Sequence, residues 1–160
     1  MRYYSFVFVG IFLLGVTACN KKSEALWLAE REQIRLYFQQ EGISNYTENE
    51  DAGYFYHITQ VGDSSLAQAD INSKVELKYA SWLLDGSLID DTYANSSTLL
   101  TLSSAIPGLQ LVLPNLHIGT KARIVLPSRL GYGTAGLSPL IPANSILRID
   151  VEIIEIHPHF

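Results

Sequence analysis

Cysteine is almost missing from this chain: Cys19 is the only one in 160 residues. That excludes an intrachain disulfide framework and a thiolate zinc cluster. The four histidines do not gather either, since His157 and His159 flank a terminal proline while His57 and His117 stand apart; their spacing predicts no metal site. Positive charge is scarce, with 11 Lys and Arg against 16 Asp and Glu and a formal charge of −5. A nucleic-acid partner, whose phosphates demand clustered basic residues, is therefore not expected. There is no internal repeat and no low-complexity tract. The longest uncharged apolar run, 3–16, is shorter than the ~20 residues a spanning helix needs. What remains is an apolar content of 48%, ample for one ordinary core that needs no staple.

At the amino terminus Arg2, the apolar run and the small residues of Val16-Thr17-Ala18-Cys19 read as a secretory signal. A cysteine directly after the small residues resembles the lipobox of bacterial lipoproteins. That resemblance implies cleavage before Cys19, acylation of its sulfur, and attachment to the lipid bilayer in the cell envelope, facing the periplasm. Secretion without lipid and a short membrane anchor are the other readings of the same residues. The chain then divides into a signal (1–18), a tether (19–23), a helix with a linker (24–52) and a carboxy-terminal domain (53–160).

Apolar residues at three- and four-residue spacings, among them Leu26, Ala29, Leu36 and Tyr37, predict a helix over about 24–41, with Ser23 as its cap and Gly42 as its stop. Its apolar positions are too many for one narrow stripe, which leaves two readings: it docks on its own domain, or it meets a second copy or an envelope-complex partner. Residues 44–52 are polar and without period, and are expected to be a linker. The aromatic, β-branched stretch 53–63 reads as a strand. Residues 74–83 put Val75, Leu77, Tyr79 and Ser81 on one face, and Asp85-Gly86 makes the hairpin that follows. Pro107 suits the first turn of a helix that Pro114 keeps short. Strands are expected over 121–126 and 145–156, separated by a long loop with three glycines in 131–144. Several antiparallel strands and one short helix make an α+β domain.

Within that domain lie Val75-Glu76-Leu77-Lys78-Tyr79, Ile106-Pro107-Gly108-Leu109, Leu126-Pro127-Ser128, Gly131-Tyr132-Gly133 and Ile141-Pro142-Ala143-Asn144-Ser145. This order resembles the FKBP-type peptidyl-prolyl isomerase domain over roughly 61–156, without a gap from 108 to 153. The resemblance implies a sheet wrapped over the short helix, catalysis of X-Pro isomerisation in proline-containing polypeptides, and no cofactor or metal. Position by position, it implies that Tyr79 lines the pocket wall and Asp90 accepts a hydrogen bond at its rim. It gives the Ile106 amide as a donor to a substrate carbonyl, beside Ala105. It makes the Tyr132 hydroxyl a second donor, and Ile141 the apolar end of the covering loop. Four positions depart from the family pattern: Ile89, Thr98 and Ile149 stand where phenylalanine is common, and Leu109 where tryptophan often forms the floor. Leucine is a frequent bacterial replacement at the floor, so it is the three other changes that predict a broader pocket and modest activity. In isolation Tyr79, Ile106 and Ile141 also read as ordinary core residues, and Asp90 with Asp91 as a solvated turn pair. A non-enzymatic chaperone or assembly subunit is thus the rival reading; the layout also resembles lipoproteins associated with gliding motility.

Overall fold

The computed structural model describes residues 12–93 and 96–158, with the backbone alone over 12–20. In chain order the elements are α1 (Phe12–Gln40), β1 (Thr47–Glu48), β2 (Phe55–Gln60), β3 (Lys74–Leu83), β4 (Leu88–Asp91), β5 (Thr98–Thr101), α2 (Pro107–Val112), β6 (Lys121–Leu126) and β7 (Leu147–His157). The strands form one antiparallel sheet in the order β1-β2-β6-β7-β3-β4, with β5 also on β3. The expected α+β architecture is present.

The two longest strands, β3 and β7, pair along their whole length, with Tyr79 opposite Val151 and Ser81 opposite Ile149. Alternation then sends Leu77, Leu147, Ile149, Val151 and Ile153 to the inner face. There they meet Val112 of α2 and Leu113 and Leu116 of the turn after it, in one buried cluster with Ile124 and Leu126. On the far edge of β3, β5 pairs with 74–77 and β4 with 80–82. Thr92 fills the gap between them. Its hydroxyl accepts the Tyr79 N–H at 2.9 Å and donates to the Tyr79 carbonyl at 3.1 Å, and its own N–H reaches that carbonyl at 2.8 Å.

Pro107 is the first helical residue of α2, as expected. Gly108 is there for a different reason from its proline neighbour. A β-carbon on it would lie 2.4 Å from a methyl group of Leu126, so the absence of a side chain lets the helix settle onto β6.

The outer face of the sheet is half covered. Ile34 and Phe38 of α1 are fully buried against Phe55, Val125 and Ile146, and Phe38 stacks on Tyr46 with ring centroids 4.5 Å apart. Polar contacts extend the seam: Glu48 accepts from Arg31 and from Arg35 (Nη2 at 2.7 Å), while Arg123 donates to Glu41 at 3.0 Å and to the Tyr37 hydroxyl at 3.2 Å. Of the two readings of the helix, docking on its own domain is the one found. Gly42 ends it with φ of 70°, and the Ile43 N–H returns to the Phe38 carbonyl at 2.9 Å, the six-to-one bond of a Schellman stop.

Two expectations change here. The helix does not start at Ser23 but runs without a break from Phe12 through the expected tether. No glycine or proline lies between Gly15 and Gly42, so nothing in that stretch stops a helix. The expected linker contains β1, and its Glu48 is the acceptor for two helix arginines; a two-residue strand has no period to read. Residues 1–11 of the expected signal, and the Cys19 side chain, lie outside the described residues. Among the described residues no helix is long and apolar enough to cross a membrane.

Candidate active site

A cavity of about 460 Å³ sits between the inner face of β3 and β7, the start of α2 and the 131–146 loop. All nine residues proposed from the sequence line it: Tyr79, Ile89, Asp90, Ala105, Ile106, Leu109, Tyr132, Ile141 and Ile149. They come from five separate parts of the chain. Leu109 and Ile149 form part of its wall without filling it, and α1 lies on the opposite face of the sheet.

Several are held by local hydrogen bonds. Asp90 takes the hydrogen bond of the Tyr79 hydroxyl on one carboxylate oxygen and the Asp91 N–H at 2.9 Å on the other. Burial, followed by that hydrogen bond and the Asp90 charge, pushes the Tyr79 hydroxyl up to about 12; it is a proton donor throughout the physiological range. Ile106 is the N-cap of α2, so its N–H precedes the intrahelical ladder. Its carbonyl receives Leu109 at 3.0 Å. The Gln110 amide donates to the carbonyls of Ala105 at 2.8 Å and Ser103 at 3.2 Å, pinning the segment that leads into Ile106.

The loop over the cavity is built from glycines. Gly131 and Gly133 both donate to the Ser128 carbonyl, at 2.9 and 2.8 Å, and φ of 58° at Gly133 is left-handed backbone. Tyr132 between them is 36% exposed. Further on, Leu137 and Ile141 exchange two backbone hydrogen bonds of 2.7 and 2.8 Å. That pairing tucks Ile141 into the wall at 3% exposure and leaves Leu137 and Leu140 on the rim, 47% and 57% exposed.

Sequence reasoning missed those two rim leucines, along with Ser104, Leu100 and the pinning role of Gln110. Apolar leucines in a glycine- and proline-rich loop were the available signal. Thr98, noted as a departure, opens β5 and lines the cavity. The only titratable side chains among the described lining residues are Tyr79, Asp90 and Tyr132. A largely apolar cleft with a few aimed polar groups is suited to gripping a small apolar unit of a larger molecule. Elsewhere Glu76, Glu155 and His157 come close together on the surface, but such exposed groups occur without metal and none borders the cavity.

Comparison with known proteins gives the family and the fold. Residues 66–154 match the family described as FKBP-type peptidyl-prolyl cis-trans isomerase. The isomerase FkpA of Escherichia coli K12 is 36% identical over 107 residues, covering 66% of this chain and 38% of that protein. The bovine isomerase FKBP11 is 34% identical over 88 residues, covering 54% and 43%. The chain thus spans about two fifths of the length of these relatives. Among solved structures, a peptidyl-prolyl cis-trans isomerase from Pseudomonas syringae pv. tomato superposes with a TM-score of 0.70 at 28% identity, over 84% of this chain and 96% of that one. Escherichia coli FkpA gives 0.69 at 24% identity, over 96% and 75%, a likeness of fold. Because the family match spans more than half of its residues, this chain belongs to the FKBP-type peptidyl-prolyl cis-trans isomerase family.

Proposed function

We propose that the protein accelerates cis-trans isomerisation of X-Pro bonds in exported polypeptides, without cofactor, in the bacterial cell envelope. The observation that carries this reading is the cavity itself: nine positions, scattered from 79 to 149 along the chain, line one mostly apolar pocket. An X-Pro bond isomerises in tens to hundreds of seconds unaided, because resonance holds the amide planar behind a barrier of roughly 18–20 kcal/mol. The twisted amide is less dipolar than the planar one. A water-poor pocket therefore favours it, and groups that bind it more tightly than the planar form lower the barrier. In this reading the proline ring sits against Ile89, Leu109, Ile141 and Ile149. The Ile106 N–H and the Tyr132 hydroxyl hold carbonyl oxygens on either side of the rotating bond. Asp90, oriented by Tyr79, stands at the rim. No bond to the protein forms or breaks.

Activity is modest on this account. An aromatic contact contributes about 0.5–1.5 kcal/mol beyond its buried area, and aliphatic or hydroxyl side chains stand at Ile89, Thr98, Leu109 and Ile149. The same losses support a second reading, a chaperone or assembly subunit that uses the pocket and the exposed Leu137 and Leu140 to hold unfolded segments, its partner an envelope complex such as that of gliding motility. An isomerisation assay on an X-Pro peptide separates the two. The enzyme reading expects a rate above the uncatalysed one, with kcat/KM lowered roughly three- to tenfold by Tyr132→Phe, the size of one hydrogen bond. A rate equal to the uncatalysed one, in the wild type and variant alike, rejects it. Placement in the envelope rests on the lipobox-like Val16-Thr17-Ala18-Cys19, with Cys19 as the acylated residue.

A further inference from the structure

Glu30, on the docked side of α1, is 4% exposed. One of its carboxylate oxygens accepts the Ser128 N–H at 2.9 Å across 98 positions of sequence, and this bond is buried. A carboxylate is a costly group with which to dock a helix. Ile34 and Phe38 do that work a turn or two later with no such penalty. The placement of Glu30 therefore calls for another account, and its partner supplies one. Ser128 begins the single helical turn Ser128–Leu130, and the first N–H of such a turn has no acceptor within it. The carbonyl of the same residue receives Gly131 and Gly133, the neighbours of Tyr132 on either side. A continuous line of hydrogen bonds thus runs from the helix, through both peptide groups of one serine, to the loop that presents Tyr132.

A second contact from the same helical turn grips the same segment. The Arg129 guanidinium lies 4.2 Å from the centre of the Trp27 ring and donates to the Ala52 carbonyl at 2.8 Å. Trp27 in turn fits against Gly53, where a β-carbon would come within 2.6 Å of the indole nitrogen. The base of the loop is held from α1 at two successive residues, 128 and 129.

We propose that Glu30 is a positioning residue for the isomerase site, acting through Ser128 to hold the Tyr132 loop in place. This rests on the isomerase reading above for its kinetic consequence but not for its structural one. The test compares Glu30→Met, which keeps length and helix propensity but has no strong acceptor, with Glu30→Gln, which retains a carbonyl oxygen. Phe38→Leu loosens the same helix without touching Ser128 and serves as the control. Glu30→Met should lower kcat about three- to tenfold, the scale of one hydrogen bond, with KM changed less than about twofold. It should speed amide exchange at Gly131 and Gly133 by a similar factor. Glu30→Gln should recover most of both, and Phe38→Leu should lower Tm while leaving kcat and those two amides alone. A Glu30→Met protein with lower Tm but unchanged kcat and unchanged exchange overturns the proposal. If the wild type proves not to catalyse, the isomerase reading fails and exchange at Gly131 and Gly133 alone decides. Rapid exchange of the Ser128 amide in the wild type overturns the proposal whether or not any variant folds.

Discussion

Tyr79 is held from both ends, its peptide group by Thr92 and its hydroxyl by Asp90. Burial, then the Asp90 bond and charge, raises its pKa to about 12, so the folded state binds this proton more tightly than the unfolded chain does. The sign follows from linkage: the contribution is fully present below pH ~10, the unfolded value, and is lost as pH rises toward 12. Replacing Asp90 with Asn removes the charged acceptor but not the burial. The Asp90→Asn variant is expected to ionise Tyr79 at lower pH than the wild type, with a shallower fall of stability between pH 10 and 12, read by tyrosinate absorbance and by denaturant unfolding along the same pH series. An unchanged titration would mean that the hydroxyl does not donate to Asp90. Such a pairing was legible only as two separate positions, because eleven residues and a hairpin separate them.

Among the elements, α1 and the 131–146 loop each join parts of the chain that the periodic signals treat separately. The amphipathic pattern established that the helix needed a partner surface. Which surface it found depended on Val125 of β6 and Ile146 just before β7, apolar residues beside the charged Arg123, Arg148 and Asp150. Phe38 is the centre of that seam, fully buried and in aromatic contact with Tyr37, Tyr46 and Phe55. Phe38→Ala should cost about 3–5 kcal/mol of unfolding free energy, the range for a large side chain removed from a packed core, measured by urea denaturation. A loss below ~1 kcal/mol would show that the helix is only loosely attached. The loop is the opposite case: its glycines announced turns, but its two cross-bonds between Leu137 and Ile141 carry no sequence period.

At the scale of the whole molecule, the envelope proposal concerns an acidic chain whose single cysteine is Cys19. The envelope proposal predicts that the full chain expressed in a bacterium takes up labelled fatty acid and sediments with membranes, and that Cys19→Ser abolishes both. Incorporation that persists in the serine variant would remove Cys19 from the account. The domain also keeps its two surfaces apart. The pocket occupies the inner face of the sheet and the helix the outer one.

Composition and periodicity alone determined that this is an α+β domain with β3, β6, β7 and the short α2 near their observed places. Those are local properties: alternation, a proline at a helix start and glycines in a turn act within a few residues. The residues from Tyr79 to Ile149 that line the cavity were instead implied by the resemblance of the ordered motifs to the FKBP-type family. Tertiary structure alone decided that Glu48 and Glu30 anchor a helix that begins well before its expected start, and that rim leucines complete the pocket. Gln110 is likewise tied to the approach to Ile106 only in the fold. Such contacts join positions that no period relates, and a buried carboxylate can be explained only once the amide it meets is known.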